Sequence, residues 1–304
     1  MALFVHDSVQ NEIPTQLPPL QKRFSVRIKP VCRTTARDEP RIKNSSLLAP
    51  PTHTTIRSDY IMRISPALAF ILCVSFLPVV SAEELQSLFN GKNLDGWAGQ
   101  AGFWSVQDGS IVGETTKDKP AQPNTFLVWQ GGDVSDFELT CKVRFRGNNS
   151  GVQYRSELTD AEKFALKGYQ ADLHPKPEFF GMMYGEKTGR GIIAQRFQRA
   201  VAGPKGKAKV TATIGDPDQK LVDWEWNTLR IVAVGNQLIH QVNGINTMEL
   251  TDNHPEAFSS GVLGLQLHQG APMRVEFKDI QYRPLKGKEA KTLLNAAKEK
   301  PAKK

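Results

Sequence analysis

The sequence predicts an all-β fold, two antiparallel sheets packed as a sandwich. Three observations predict it: period-two alternation of apolar and polar residues, turn dipeptides at close spacing, and almost no helical periodicity. Phe103–Val112 reads as two short strands around Asp108-Gly109, a favoured hairpin turn. In the segment 137–145, Phe137, Leu139, Cys141, Val143 and Phe145 face one way, while Glu138, Thr140, Lys142 and Arg144 face the other. Trp226–Val234 and Gln237–Val242 pair around Gly235-Asn236, and Asn243-Gly244 turns the chain into Ile245–Leu250. Gly261–Leu267 and Arg274–Tyr282 close a set of roughly ten to thirteen strands, the density of a sandwich. The one helical pattern, Lys288–Lys298, is short and lysine-rich and reads as a solvated or wall-associated tail.

The 304 residues carry a formal charge of +8, which at first suggests a nucleic-acid or membrane partner. The charge sits at the ends. Residues 1–61 hold a net +4, Arg63 adds one, and residues 286–304 add +5, leaving −2 for residues 83–285. No basic nucleic-acid face is therefore expected on the folded domain. Met62-Arg63, the apolar run Ala67–Val80 and the small residues Val80-Ser81-Ala82 have the order of a secretory signal, with cleavage after Ala82. The apolar run is short for a permanent membrane span, so no stable insertion is expected after cleavage. A periplasmic or secreted location follows. Residues 1–61 are rich in proline and lack periodicity, and are expected to precede the true translation start at Met62 or to form a disordered extension. Domain boundaries are thus 1–61, signal 62–82, a single sandwich domain 83–285, and a lysine-rich tail 286–304. Cleavage leaves Cys141 as the lone cysteine, which rules out an internal disulfide and reads as a small buried hydrophobe.

Three segments carry an unusual polar face. Val152 and Tyr154 alternate with Gln153 and Arg155; Tyr169, Ala171 and Leu173 alternate with Gln170, Asp172 and His174; Leu263, Leu265 and Leu267 alternate with Gln266 and His268. An ordinary solvent face favours Lys, Glu and Thr. Gln, Arg, Asp and His instead make directional hydrogen bonds to hydroxyls and carbonyls. A concave sheet face with such a groove, walled by tryptophans, suits a sugar. Tyr184–Gly191 is glycine-rich, lacks the lysine placement of a phosphate loop, and reads as a surface loop; no Gly-x-Gly-x-x-Gly occurs, so no nicotinamide cofactor is expected.

The motifs Leu88–Trp97, Trp104–Gly109, Asn148–Arg155, Trp226–Ile231, Val242–Gly244, Leu263–His268 and Val275–Ile280, in this order, resemble the 3-keto-disaccharide hydrolase family. The resemblance covers about residues 85–285. It implies a concanavalin-A-like jelly roll, usually exported, acting on glycosides already oxidised at C3 by a separate sugar 3-dehydrogenase. A 3-keto group acidifies the C2 proton, so the C1–O bond breaks by elimination, given a base, an enolate stabiliser and an acid for the leaving oxygen. The candidates are His268 or Asp172 as base, Arg155 at the enolate, and Glu157 or His174 at the leaving group. Asn149, Gln153, Gln170, His174 and Gln266 are the expected substrate-binding residues. Asp172, His174 and His268 are also candidate ligands for a divalent ion, against a metal-free hydrogen-bonded cluster. The competing function is a non-catalytic carbohydrate-binding sandwich of the cell envelope, since one fold serves both.

Overall fold

The computed structural model describes residues 84–299 apart from positions 206, 217, 222 and 223. The extension 1–61, the signal-like segment with its cleavage point, and the last five residues lie outside the described residues. In chain order the strands are β1 (Gln86–Ser87), β2 (Trp97–Ala98), β3 (Trp104–Gln107), β4 (Ser110–Thr115), β5 (Thr125–Trp129), β6 (Phe137–Arg146), β7 (Ser150–Asp160) and β8 (Ala165–Leu173). They continue as β9 (Met183–Glu186), β10 (Gly191–Ala194), β11 (Gln198–Ala202), β12 (Lys209–Thr213), β13 (Asn227–Val234), β14 (Gln237–Val242), β15 (Ile245–Asp252), β16 (Val262–Leu267) and β17 (Met273–Pro284), followed by helix α1 (Gly287–Glu299).

One sheet has ten strands in the order β12-β11-β15-β14-β13-β6-β17-β4-β3, with β1 added beside β17; the other has seven, β10-β9-β8-β7-β16-β5-β2. Every pairing is antiparallel except β11 with β15. The fold is the expected all-β jelly-roll sandwich, with more strands than the turn spacing predicts, because β1, β2 and β9–β12 are short. The turn dipeptides behave as read: Asp108-Gly109 and Asn243-Gly244 both take positive φ at each central residue, the geometry that matches strand twist in a two-residue hairpin.

The core is the meeting of the two inner faces. Phe137, Leu139, Cys141 and Val143 of β6 join Leu229, Ile231, Val275 and Phe277 from one sheet. Val152, Tyr154, Tyr169, Ala171, Leu173, Leu263, Leu265 and Leu267 come from the other. Burying one large apolar side chain stabilises by roughly 1.5–3 kcal/mol. A one-residue slip of β8 would expose Tyr169, Ala171 and Leu173 together, so its register is fixed strongly. Cys141 is buried, and burial pushes its thiol up to about 12, which makes it inert as a nucleophile.

The sheets are also joined by polar contacts. Tyr154 Oη lies 2.8 Å from His240 Nε2, and His240 Nδ1 lies 3.3 Å from the Gly181 carbonyl. The carbonyl only accepts, so Nδ1 carries the proton and Nε2 accepts from the tyrosine. Tyr169 donates to Asp252, which Arg190 clamps at 2.7 and 3.0 Å. Outside the ten-stranded sheet, Ala290, Leu294 and Ala297 of α1 pack on Val232, Ile239 and Leu285. The Ala297 carbonyl also accepts from Asn246 at 3.0 Å. The helix is therefore docked, which corrects the reading of this segment as a solvated or wall-associated tail: Ala290, Leu294 and Ala297 fall on one face and cover the sheet.

Burial pushes the His240 imidazole from its ordinary value of 6.5 down to about 4. The unfolded chain takes up this proton near 6.5 and the folded protein only near 4. The folded state is therefore expected to lose about 3 kcal/mol from this residue as pH falls across that window. Urea unfolding at pH 7 and pH 4 should show a smaller drop in the His240→Gln variant than in the native protein.

Candidate active site

The face of the seven-stranded sheet opposite the core holds the polar set. Gln170 of β8 stands opposite Gln153 of β7 on one side and Tyr184 of β9 on the other. Asp172 stands opposite Gly151, and the pairing of Leu265 with Val152 brings Gln266 beside Gly151 on the same face. Gly151 makes the arrangement possible. A Cβ there would come within 2.4–2.6 Å of the Gln170 side chain, which lies across the glycine.

Over this floor opens a cavity of about 500 Å³, bounded by Asp172, His174, Tyr184, Glu186, Gln266 and His268, with Asn124, Asn149, Gln170 and Lys187 completing the wall. Gln170 Nε2 donates to Asp172 Oδ1 at 2.8 Å and to Gln266 Oε1 at 3.1 Å. Much of the remaining polar capacity is unused. Among the described residues seven buried side-chain nitrogens and oxygens lack a hydrogen-bond partner, and five of them belong to Gln153, Gln170, Asp172 and Gln266. Each such atom costs about 1–3 kcal/mol, so their concentration on one face marks a functional surface.

Burial pushes Asp172 up to about 7 against the hydrogen bond from Gln170, and the charge of Glu186 raises it further. Glu186 is likewise raised, by burial first, with the hydrogen bond from Asn124 at 3.1 Å opposing. The two histidines have complementary tautomers. His268 Nδ1 lies 2.7 Å from the Gln269 carbonyl and 3.2 Å from Asn148 Nδ2; the shorter contact, to an oxygen that only accepts, puts the proton on Nδ1 and leaves Nε2 as an acceptor. His174 Nδ1 accepts the Lys176 backbone N–H at 3.0 Å, so its proton sits on Nε2. Burial, then the charge of Lys176, holds His174 below its ordinary value and keeps it neutral.

Of the residues expected from the sequence, Asn149, Gln170, Asp172, His174, Gln266 and His268 come together. Gln153 lies in the floor, fully buried and beneath the lining residues. Arg155 does not join them, which corrects its expected role. A register shift between Tyr154 and Glu157, with Arg155 at φ 47°, breaks the alternation there. The guanidinium runs to the ends of the other sheet, donating to the Ser135 and Gly235 carbonyls at 2.7 and 2.6 Å and pairing with Asp136 at 3.0 Å. Glu157, beyond the bulge, is exposed and faces Lys167 at 3.6 Å. It too lies outside the pocket. Asp172, His174 and His268 do not form a ligand set: among the described residues no three His, Cys, Asp or Glu side chains converge as a metal site requires.

Among the described residues no tryptophan lines this pocket. Trp97 is in the core with its indole N–H on the Leu88 carbonyl, and Trp104 packs over Gly113. Trp226 sits between Arg144 and Lys278. The pocket's aromatic residues are Phe179 and Tyr184. Glu186 and Tyr184 are additions the sequence reading passed over. They alternate on β9, inside the segment taken for a surface loop, and the alternation Met183-Tyr184-Gly185-Glu186 was the available signal.

The fold and this pocket define a β-sandwich of the carbohydrate-related kind. Over residues 84–283 the sequence matches the family described as the 3-keto-alpha-glucoside-1,2-lyase-like domain, and the chain belongs to that family. Among solved structures it is similar to a candidate glycosyl hydrolase from Parabacteroides distasonis ATCC 8503. That match has 21% identity, 66% of this chain and 94% of that one covered, and a TM-score of 0.44. It is also similar to the carbohydrate-binding module CBM66 from Bacillus subtilis, with 17% identity, 62% and 95% covered, and a TM-score of 0.41. Among curated proteins no significant match is found.

Arg155→Ala removes the cation but leaves Asp136 and two carbonyls without it. Unfolding free energy is expected to fall by about 3 kcal/mol, read by urea titration. The titration of Asp172, followed by carbon-13 NMR, should stay where it was.

Proposed function

We propose that the protein is an exported enzyme that cleaves 3-keto glycosides by elimination across C1 and C2. The observation that carries this reading is the pairing, in one pocket, of a carboxyl that burial raises to about 7 with the His268 imidazole, beside amides with unused hydrogen-bonding capacity. Family membership supports it. Export rests on the order of residues 62–82 in the sequence; among the described residues no helix is long and apolar enough to cross a membrane.

In this reading the sugar hydroxyls engage the free amide atoms of Gln170 and Gln266, with Asn149 at the rim. His268 Nε2 takes the C2 proton. The electron pair moves toward O3, where protonated Asp172 donates a hydrogen bond to the forming enolate. That task belongs to a carboxylic acid kept neutral by burial. The enolate then collapses: C3=O re-forms, C1=C2 forms, the C1–O bond breaks, and the leaving oxygen, hydrogen-bonded by the Nε2–H of neutral His174, takes up the proton that His268 removed from C2, which returns both imidazoles to their starting state. The products are a 1,2-unsaturated 3-keto sugar and the free alcohol, and addition of water to the former gives net hydrolysis. The ketone comes from a prior oxidation of the C3 alcohol by a separate dehydrogenase. No step is assigned to a metal, because the candidate ligands do not converge.

The purified protein is expected to release alcohol from 3-keto-trehalose or 3-keto-lactose and not from the unoxidised parents. Calorimetric binding of both without turnover would instead leave a carbohydrate-binding domain. His268→Ala should lower kcat by about 100-fold or more. Because Asp172 works protonated, turnover should fall as pH rises through about 7. Asp172→Asn keeps a donor and should retain activity while losing that limb of the profile; a dead Asp172→Asn enzyme would make Asp172 the base.

A further inference from the structure

Beside the polar pocket lies a second cavity of about 310 Å³, and His174 lines both. It differs in its aromatic and proline content. The walls include Phe145, Phe180, Pro175, Pro177 and Trp224. Phe145 and Phe180 stack with centroids 5.7 Å apart. The Trp224 ring is held by the guanidiniums of Arg144 and Arg146, each 4.6 Å from its centroid. The amide of Asn227, which also borders the cavity, is spent: Nδ2 donates to the Glu225 carbonyl at 3.0 Å and Oδ1 accepts from Asn243 at 2.8 Å. Glu225 and His174 remain as the polar side chains of its wall. A flat apolar ring would find three aromatic and two proline surfaces.

The geometry points to a leaving-group subsite that takes an aryl aglycone, with the glycosidic bond lying across His174. This rests on the elimination reading above, which puts the His174 Nε2 proton at the leaving oxygen. It goes further in naming the class of glycoside: one sugar ring in the amide-lined pocket, one aromatic ring among the prolines and Trp224.

The test compares phenyl and methyl 3-keto-glucosides on the native protein and on Trp224→Ala. Trp224→Ala is expected to lower kcat/KM for the phenyl substrate about 10-fold and to leave the methyl substrate within about twofold. Trp224→Phe should recover most of the loss. An equal loss on both substrates, or no loss on the phenyl one, overturns the subsite. If the native protein turns over neither, the elimination reading fails and binding decides the subsite separately. In calorimetry, phenyl glucoside should then bind about 10-fold tighter than methyl glucoside, with the difference lost in Trp224→Ala; equal binding overturns it. Should Trp224→Ala not fold, Leu221→Trp fills the same cavity from another wall and is expected to exclude the phenyl compound alone.

Discussion

Period-two geometry in three neighbouring strands is the constraint on which the site depends. β7, β8 and β16 each commit one face to the core, through Val152 and Tyr154, through Tyr169, Ala171 and Leu173, and through Leu263, Leu265 and Leu267. The opposite face is then the place where Gln170, Asp172 and Gln266 stand side by side. Close approach does the rest. With only a hydrogen at Gly151, the Gln170 side chain lies flat across β7 and reaches both Asp172 and Gln266 with one amide nitrogen.

Buried carboxylates elsewhere in the molecule show what is particular about the pocket. On the outer face of the ten-stranded sheet, Glu138 is held by Arg230 and Arg283 at 2.6 and 2.7 Å, and Glu276 by Arg144 and Arg274 at 2.7 and 2.8 Å. Glu249 meets Arg199 at 2.6 Å. These are charges neutralised by charges. Asp172 and Glu186 are buried to the same degree but hydrogen-bond to amides, so burial raises them instead of being offset by a guanidinium. The scaffold pairs its buried carboxylates with arginine; the pocket withholds arginine, and burial raises Asp172 to about 7.

The sandwich was legible because alternation and turn dipeptides are local signals, and the β8 and β16 halves of the site were legible for the same reason. What failed did so where local phase breaks. Arg155 follows Gln153 by two residues and shares its face on paper, yet the bulge at φ 47° turns the side chain away, and nothing in Tyr-Arg-Ser-Glu announces a bulge. Glu157 falls on the far side of the same irregularity. Glu186 was hidden by composition: β9 is four residues long and followed by a turn with Lys187 and Gly189 at positive φ, so glycine content outweighed a short alternation. The docking of α1 pairs the face of Ala290, Leu294 and Ala297 with Val232 and Ile239, which point outward from the sheet, and the lysines around that face outweighed it in the sequence.

The parallel pairing of β11 with β15 has a consequence for motion. Parallel neighbours need a long connection, and here β12, β13 and β14 intervene in the chain between β11 and its partner β15, with β12 beyond β11 as a largely exposed edge. Such an edge belongs to the least protected part of a fold and opens locally before the rest. Three residues, 195–197, separate β11 from β10, the strand paired with β9. The edge of one sheet is thus tied through three residues to the hairpin that carries Tyr184 and Glu186 in the other.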